Sequence, residues 1–558
     1  LSRKNKNLLI KSAFFYILLF LLSLVVFFAS ACEQLSSWYG NLNKGNSEVT
    51  AAVSSTGLKE HDQKDTQAVD AATASGLQEN VPETDEQTVV LPQYIYQIID
   101  QQSEAMLPEE VSTLEELLSI PFYEIELDLD FENAGYKGSA RVYYTNLEDT
   151  GLNEIYFRLF PNSGNVYGNG SLSIINLGIN GRASKAFDLP DESILKIILP
   201  HTLLPGEQIT IDLRFTGKIP EEFSEGSYGF FNKTGNTISL SGWFPILAVY
   251  DSQGWNLDPS SKIGDSVYSD MAFFKVRVNA DNDLKAASTG IQVENPASGQ
   301  QMASYMFVSG PSRDFVFVFS KDYKLISRDN GGIKFNCYYF NSDNNKASTS
   351  LATAIKAFEI FENKFGIYPF KEFDIVELPL KSIQGVEFPQ LVLINSTVFG
   401  DKNVIVHEAA HQWWYNLVGS DAIDNPWMDE ALATFSQVIY FEEAAGSEYA
   451  QGIMDYFMKI YNNKVAAGED DFVYKGLDYF EEKGSRHYSA TVYVKGAVFF
   501  NELRKSIGDE DFFRALKAYS ESTRYRIAVP GDMLDAFEKT AGKDLGIFYD
   551  KWLYSIQE

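Results

Sequence analysis

Two histidines four residues apart, His407 and His411 in the run V-I-V-H-E-A-A-H-Q-W-W, would put two imidazoles one helical turn apart on the same face, where a single zinc ion can reach both. Glu408 lies between them and is free to face a water at that metal. A catalytic zinc usually takes three protein ligands and keeps one position for water, so one ligand is still to be found. Glu430, in P-W-M-D-E-A-L-A-T-F, opens a second helical pattern nineteen positions after His411. That separation allows one helix, a turn and the start of a second helix folding back across the first. The chain holds only five histidines, so chance is a poor explanation of an H-E-x-x-H pattern. A pair of core histidines satisfying each other, or a zinc site that has lost its chemistry, are the alternatives.

These residues need elements to position them. Leu351, Ile355, Phe358, Phe361 and Phe365 recur at helical spacing over 348–365, and Gly366 follows as a C-cap. A short strand is expected at 373–378. In the next segment, G-V-E-F-P-Q-L-V-L-I, Pro389 would interrupt ladder bonding in a central strand, so the segment reads as an edge strand. Such an edge beside a metal cleft leaves N–H and C=O groups free to pair with an extended peptide, and Glu387 would stand where that peptide begins. Beyond the metal helices, 431–466 is mostly helical, with further helices at 494–507, 510–520 and 531–540.

Upstream the rhythm is that of strands. Tyr123, Ile125, Leu127, Leu129 and Phe131 alternate with Glu124, Glu126, Asp128 and Asp130, a strand with one buried and one wet face. Short runs at 140–144, 154–160, 195–199, 208–215 and 313–319 repeat the pattern between Gly, Pro, Asn and Asp. The expected architecture is multi-domain: an N-terminal all-β, saddle-like sandwich over 118–322, then an α+β domain over 323–558. The acids of the β part read as a solvated face, and D-N-D at 281–283 lacks the further oxygen ligands of a calcium loop.

Composition bounds the partners. The formal net charge is -30, from 46 basic and 76 acidic residues, and no basic patch stands out, which excludes nucleic acid as an expected partner. The two cysteines, Cys32 and Cys337, are not a disulfide scaffold. Arg3, Lys4, Lys6 and Lys11 precede an apolar run to residue 31 that ends F-F-A-S-A before Cys32. This resembles a bacterial lipoprotein signal with Cys32 as the lipidated residue, although Ala29 stands where leucine is commoner. An uncleaved N-terminal membrane anchor is the alternative, with a secreted soluble product as a third. Either of the first two attaches the chain to the cell membrane and places the following domains outside the cytoplasm. From Glu33 to about Val90 the chain is polar and acidic with few aromatics, a composition expected of a flexible tether, so 32–117 reads as linker with a short helix within 91–120.

With these motifs in hand, the sequence resembles the zinc-dependent aminopeptidase N family of gluzincin metallopeptidases. His407, Glu408, His411 and Glu430 match its H-E-x-x-H, eighteen residues, E pattern, and Q-W-W-Y-N-L-V is similar to its Q-W-F-G-N-L-V. Gln384, Gly385, Val386, Glu387 and Phe388 match its G-A-M-E-N segment loosely, and Tyr493, Val494, Lys495 and Gly496 match its Y-x-K-G segment. The resemblance implies a thermolysin-like catalytic domain, one zinc ion on His407, His411 and Glu430, Glu408 as general base, and Tyr493 as hydrogen-bond donor to the developing oxyanion. It also implies that Glu387 binds the free amine of peptide substrates. Gln437 stands where the family commonly has a glutamate that supports a metal ligand, and the helical C-terminal domain that closes the cleft in larger members is not expected here. The implied activity is removal of N-terminal residues from peptides. A metallo-endopeptidase with little need of a free amine, and a non-catalytic surface peptide-binding protein with a residual zinc site, are the alternatives.

Overall fold

The alternating run at the start of the β part forms β1 (Phe122–Asp130), with Tyr123, Ile125, Leu127 and Leu129 buried and Glu126, Asp128 and Asp130 exposed. In the computed structural model the described residues are 93–556, except 222, 224–225, 266–267, 295–301 and 341–342. The described residues belong to one compact unit. The basic and apolar N-terminal run, Cys32 and most of the polar tether therefore lie outside the described residues. Among the described residues no helix is long and apolar enough to cross a membrane. The short helix expected within 91–120 is α1 (Gln93–Gln102).

β1 sits inside an eight-stranded sheet, antiparallel to β2 (Gly135–Thr145) and parallel to β4 (Ala272–Asp281), a strand far along the chain. β3 (Gln208–Lys218) continues the sheet beyond β2, and β5 (Met302–Ser312) lies beyond β4. Two four-stranded sheets share its core. One is built around Thr237–Leu240 and Phe317–Ser320, the other around Leu152–Arg158 and Ile194–Leu203. The N-terminal region is thus β-rich with several sheets. The strand expected over 313–319 begins only at Phe317, because Arg313 is buried and leaves the ladder to bond elsewhere.

The α+β region follows as a five-stranded sheet in the order β6 (Lys324–Asn330), β7 (Ile333–Tyr339), β8 (Glu372–Leu378), β10 (Leu391–Asn395), β9 (Gly385–Phe388). Both faces of this sheet are covered. Along β10, Val392 and Ile394 pack with the helices while Leu391 and Leu393 enter the core of the β-rich region. That two-sided burial explains the unbroken apolar run L-V-L-I. The helix over 348–365 is α2 (Asn344–Phe365), whose Leu351, Phe358, Phe361 and Phe365 are buried and whose end is closed by Gly366 at φ +111°, donating its N–H to the Glu362 carbonyl at 3.1 Å.

The segment around Pro389 differs from the single edge strand expected of it. It is a hairpin: β9 and β10 pair antiparallel from Gly385 with Ile394 to Phe388 with Leu391. Pro389 and Gln390 make the two-residue turn, Gln390 at φ +64°. The proline therefore sits at the tip, where no ladder N–H is lost. Only β9, which carries Glu387, is at the edge. Val386 and Phe388 face the β-rich core, so by alternation Glu387 projects from the opposite face.

The longer helices that follow are α3 (Lys402–Ala410), α4 (Trp427–Ala445), α5 (Ser447–Ala466), α6 (Gly496–Ile507), α7 (Asp509–Thr523) and α8 (Pro530–Ala541), with shorter ones at Leu477–Lys483, Ser485–Tyr488 and Gly546–Leu553. The helical stretch 431–466 is two helices, because Gly446 takes φ +95° between α4 and α5. An α+β region rich in helices thus follows the β-rich one.

Candidate active site

α3 carries His407 in its last turn and reaches only to Ala410, so His411 is its C-cap. Beyond it the backbone opens into wide turns: the N–H of Asn416 donates to the carbonyl of His411 and that of Val418 to the carbonyl of Trp413, both at 2.9 Å. Trp414 and Tyr415 leave helical geometry altogether. One consequence is chemical. The carbonyl of Trp414 lies 3.0 Å from His411 Nδ1, so Nδ1 carries the proton, Nε2 keeps its lone pair, and the ring is held in the tautomer a metal requires.

α4 folds back across α3 and delivers Glu430 from its first turn. His407 Nε2 is 3.1 Å from Glu430 Oε2, His411 Nε2 is 3.2 Å from His407 Nε2, and His411 Nε2 is 3.5 Å from Glu430 Oε2. Tetrahedral ligands at roughly 2.0–2.1 Å from a zinc ion are roughly 3.3 Å apart, so the three atoms have the spacing and the chemistry of a zinc ligand set. Burial favours the neutral form of Glu430, but the two imidazoles beside it outweigh burial and hold the carboxyl down to about 2. Burial also lowers His407, whereas for His411 the charges of Glu387 and Glu430 overcome burial and raise it.

Glu408 points into the same space from α3. Its carboxylate, that of Glu387 and the His411 ring each offer an atom within 4.8 Å of the others. Burial first, and the Glu387 charge second, push Glu408 well above the usual carboxylate range, which makes it a strong proton acceptor once ionised. Gly385 on β9 makes room for it, since a Cβ there would lie 2.4 Å from Glu408 Oε1. Gly385→Ala is expected to displace the carboxylate and lower kcat about 10²-fold while metal content stays the same, read by steady-state kinetics with metal analysis. An unchanged kcat would show that Glu408 does not work from this position.

The Tyr493 ring stacks on His407, centroids 5.8 Å apart and planes 19° from parallel, and its hydroxyl donates to Glu430 Oε1. Burial pushes its phenol well above the ordinary value and the Glu430 charge adds to this, so the group is a donor rather than a base. Its segment is anchored by Lys495, whose Nζ is 2.9 Å from an Asp470 oxygen in a buried ion pair and 2.7 Å from the Asp471 carbonyl. Gln437 ties α4 to α3 at the wall of the cleft, its Nε2 donating to the Asn403 carbonyl at 2.8 Å.

The structure therefore brings His407, Glu408, His411, Glu430, Glu387 and Tyr493 to one place. They line a cleft of about 510 Å³, His411 excepted, which lies just beneath it. Sequence reasoning missed four contributors. Gln412 is buried and clamps the hairpin tip to the end of α3, accepting from the Gln390 N–H at 2.8 Å and donating to the Phe388 carbonyl at 3.0 Å. It thereby sets Glu387 relative to His411, and it stood in plain view beside the second histidine. Arg313 comes from the β-rich region and donates to the carbonyls of Tyr415 at 2.8 Å and Asn416 at 3.2 Å. It satisfies the carbonyls that the open turn exposes, and Gly419 leaves the space for its guanidinium. Asp429 and Asp265 border the site as two further acids. Nothing local in the sequence marks Arg313 or Asp265.

The chain is similar to known peptidases. The family described as "Peptidase family M1 domain" matches residues 349–552. An aminopeptidase N of Lactococcus lactis subsp. lactis is 29% identical over 227 residues, covering 38% of this chain and 26% of that relative. A probable aminopeptidase 2 of Sulfurisphaera tokodaii is 21% identical over 458 residues, covering 78% of this chain and 54% of the relative. The chain thus spans from about a quarter to about half the length of these curated relatives. Among solved structures, the M1 zinc metallopeptidase of Deinococcus radiodurans superposes with a TM-score of 0.61 at 17% identity, over 79% of this chain and 96% of that one, which shows a shared fold.

Proposed function

The chain belongs to peptidase family M1, and from that footing we propose that it is a zinc aminopeptidase, removing single residues from the free amino end of peptides. The observation that carries this reading is the place of Glu387. Its buried carboxylate, on an edge strand, lies within 4.8 Å of both Glu408 and His411. A carboxylate there binds a substrate ammonium and leaves room for only one residue before the groups that do the chemistry. β9 offers the free side of its backbone to the extended peptide.

His407, His411 and Glu430 would hold one zinc ion, which when bound supplies Lewis-acid polarisation of the scissile carbonyl and a water acidified toward a pKa of about 7. Glu408 removes a proton from the attacking water and returns it to the nitrogen of the breaking peptide bond. Tyr493 swings its hydroxyl hydrogen bond from Glu430 to the carbonyl oxygen as negative charge gathers on it. Glu387 holds the α-ammonium throughout and so sets the register of cleavage.

The test compares free-amine and N-acetylated peptide reporters with native protein and with Glu387→Ala, each with bound zinc, after chelation and after zinc return. Glu387→Ala is expected to reduce kcat/KM for free-amine reporters by about 10²-fold or more, the loss that follows when a buried ionic partner is removed, with little change for blocked ones. Equal losses on both would favour the endopeptidase reading, and no turnover of either by zinc-loaded native protein would favour an inert peptide binder.

We further propose that Cys32 is acylated and tethers the peptidase outside the cytoplasmic membrane. Mass spectrometry of membrane-extracted protein is expected to find a diacylglyceryl group on Cys32. Finding residues 1–31 still attached would show the anchor alternative instead.

A further inference from the structure

The carbonyls between His411 and Leu417 show what holds the wide turns open. Those of His411 and Trp413 accept backbone N–H groups within the turns, and that of Leu417 accepts the Tyr525 N–H at 2.7 Å. Trp414 directs its carbonyl back at His411 Nδ1, 3.0 Å away. The next two, of Tyr415 and Asn416, are taken by one side-chain atom, Arg313 Nε, at 2.8 and 3.2 Å. The same guanidinium donates through Nη1 to the Ser269 carbonyl at 3.1 Å and through Nη2 to the Arg526 carbonyl at 2.6 Å.

Arg313 is only 2% exposed, and all four of these acceptors are main-chain oxygens. They lie on three separate stretches of chain: Ser269 just before β4, Tyr415 and Asn416 in the turn, and Arg526 beyond α7. Ser269 returns a bond, its hydroxyl donating to the Arg313 carbonyl at 2.8 Å. A guanidinium donates in a fixed planar fork, so its partners are set in direction as well as distance, which a lysine ammonium does not match. Without it, two buried carbonyls of the turn lack this donor, and such groups are costly to leave unpaired. The turn then relaxes toward other donors, and the Trp414 carbonyl, on the peptide plane that joins it to Tyr415, moves with it.

We infer that Arg313 is a positioning residue for the metal: by holding this turn it aims the Trp414 carbonyl at His411 Nδ1, so that the grip on zinc depends on a side chain from the β-rich region. The inference rests on the zinc ligand set of the proposed function, not on where Glu387 places the peptide. The bond at Nδ1 orients the ring and raises the basicity of Nε2, and loss of such a partner costs about 10- to 100-fold in metal affinity. Linkage makes the effect reciprocal: whatever Arg313 adds to zinc affinity, zinc adds to the seating of Arg313.

Competition with a chromophoric chelator for zinc, on the whole protein, tests it without any turnover. Arg313→Ala is expected to bind zinc about 10- to 100-fold more weakly than native protein, and added ethylguanidinium, which replaces the missing side-chain atoms, is expected to restore much of the loss. Arg313→Lys is expected to fall between the two. Gly419→Ala displaces the arginine without removing it, since a Cβ there would collide with the Arg313 guanidinium, and it carries the test should Arg313→Ala fail to fold. Leu127→Ala, buried in the core of the β-rich region, is the control for general loosening: it is expected to lower Tm yet keep native zinc affinity. Native affinity in folded Arg313→Ala, or in Gly419→Ala where that replaces it, would overturn the inference and leave the zinc site intact. An equal loss in Leu127→Ala, or no recovery with ethylguanidinium, would overturn it as well, by making Arg313 a support of the fold at large. If native protein binds no zinc, the zinc reading and the inference fail together.

Discussion

Glu408→Gln protein is expected to keep its zinc and its fold and to lose turnover by about 10²- to 10⁴-fold, the contribution of a positioned general base. The substitution preserves the shape of a side chain that has little room to spare between Gly385 and the α3 backbone. It leaves the His407, His411 and Glu430 triangle untouched, since Glu408 is not one of those three donors. It also removes one of two buried carboxylates that lie close together, Glu408 and Glu387, so stability should hold or rise slightly. Metal analysis beside kcat separates the outcomes. Turnover near the native rate would remove Glu408 as base, and loss of zinc would mean that the side chain supports the ligand set instead.

Tyr493→Phe is expected to lower kcat about 10²- to 10³-fold, the usual loss on deleting one donor to a developing oxyanion. KM and zinc content should change little. The ring stack on His407 and the edge contact with Tyr488 at 5.5 Å survive the change, because only the hydroxyl is lost. The buried Lys495–Asp470 pair continues to hold the segment. An effect confined to KM would assign the hydroxyl to ground-state binding, and an unchanged kcat would reject its part in the transition state.

What could be read in the chain and what could not divides along sequence distance. His407 and His411 were legible because a helical period places residues four apart on one face, and Glu430 because a second helix start lay one helix and a turn away. The end of α3 at His411 was not. The aromatic run Trp413, Trp414 and Tyr415 continues an apolar pattern that reads as helix, but the two tryptophan rings are buried in a core whose partners, Phe358, Phe365 and Tyr519 among them, come from elsewhere. Tertiary packing there overrides the local period. Pro389 was correctly seen as incompatible with a central strand, yet its neighbours Leu391–Asn395 form an interior strand, because the proline is at a turn rather than in the ladder. Glu387 was legible first from its place on an edge strand beside the metal motif, and its part in holding a free amine only through the resemblance of its segment to a family motif. Arg313 and Asp265 enter from the β-rich region, and no pattern along the chain pairs either with a helix that lies about a hundred or more residues onward.

The β-rich region is therefore more than a neighbour of the catalytic one. It fills one face of the five-stranded sheet, supplies the guanidinium that satisfies the open turn after His411, and adds an acid to the cleft. A metal grip that depends on two helices alone would not fix Glu387, whereas Gln412 couples the hairpin tip to the end of α3 through two buried hydrogen bonds. Cleavage register and metal position are set by the same few contacts.

Anomalous diffraction at the zinc edge, from crystals of the protein grown with zinc, is the most direct measurement of the ligand set on which the mechanism depends. A single strong peak within bonding distance of His407 Nε2, His411 Nε2 and a Glu430 oxygen is the expected result. A zinc-replete crystal with no peak among those three side chains, or with a peak bound elsewhere, would contradict it.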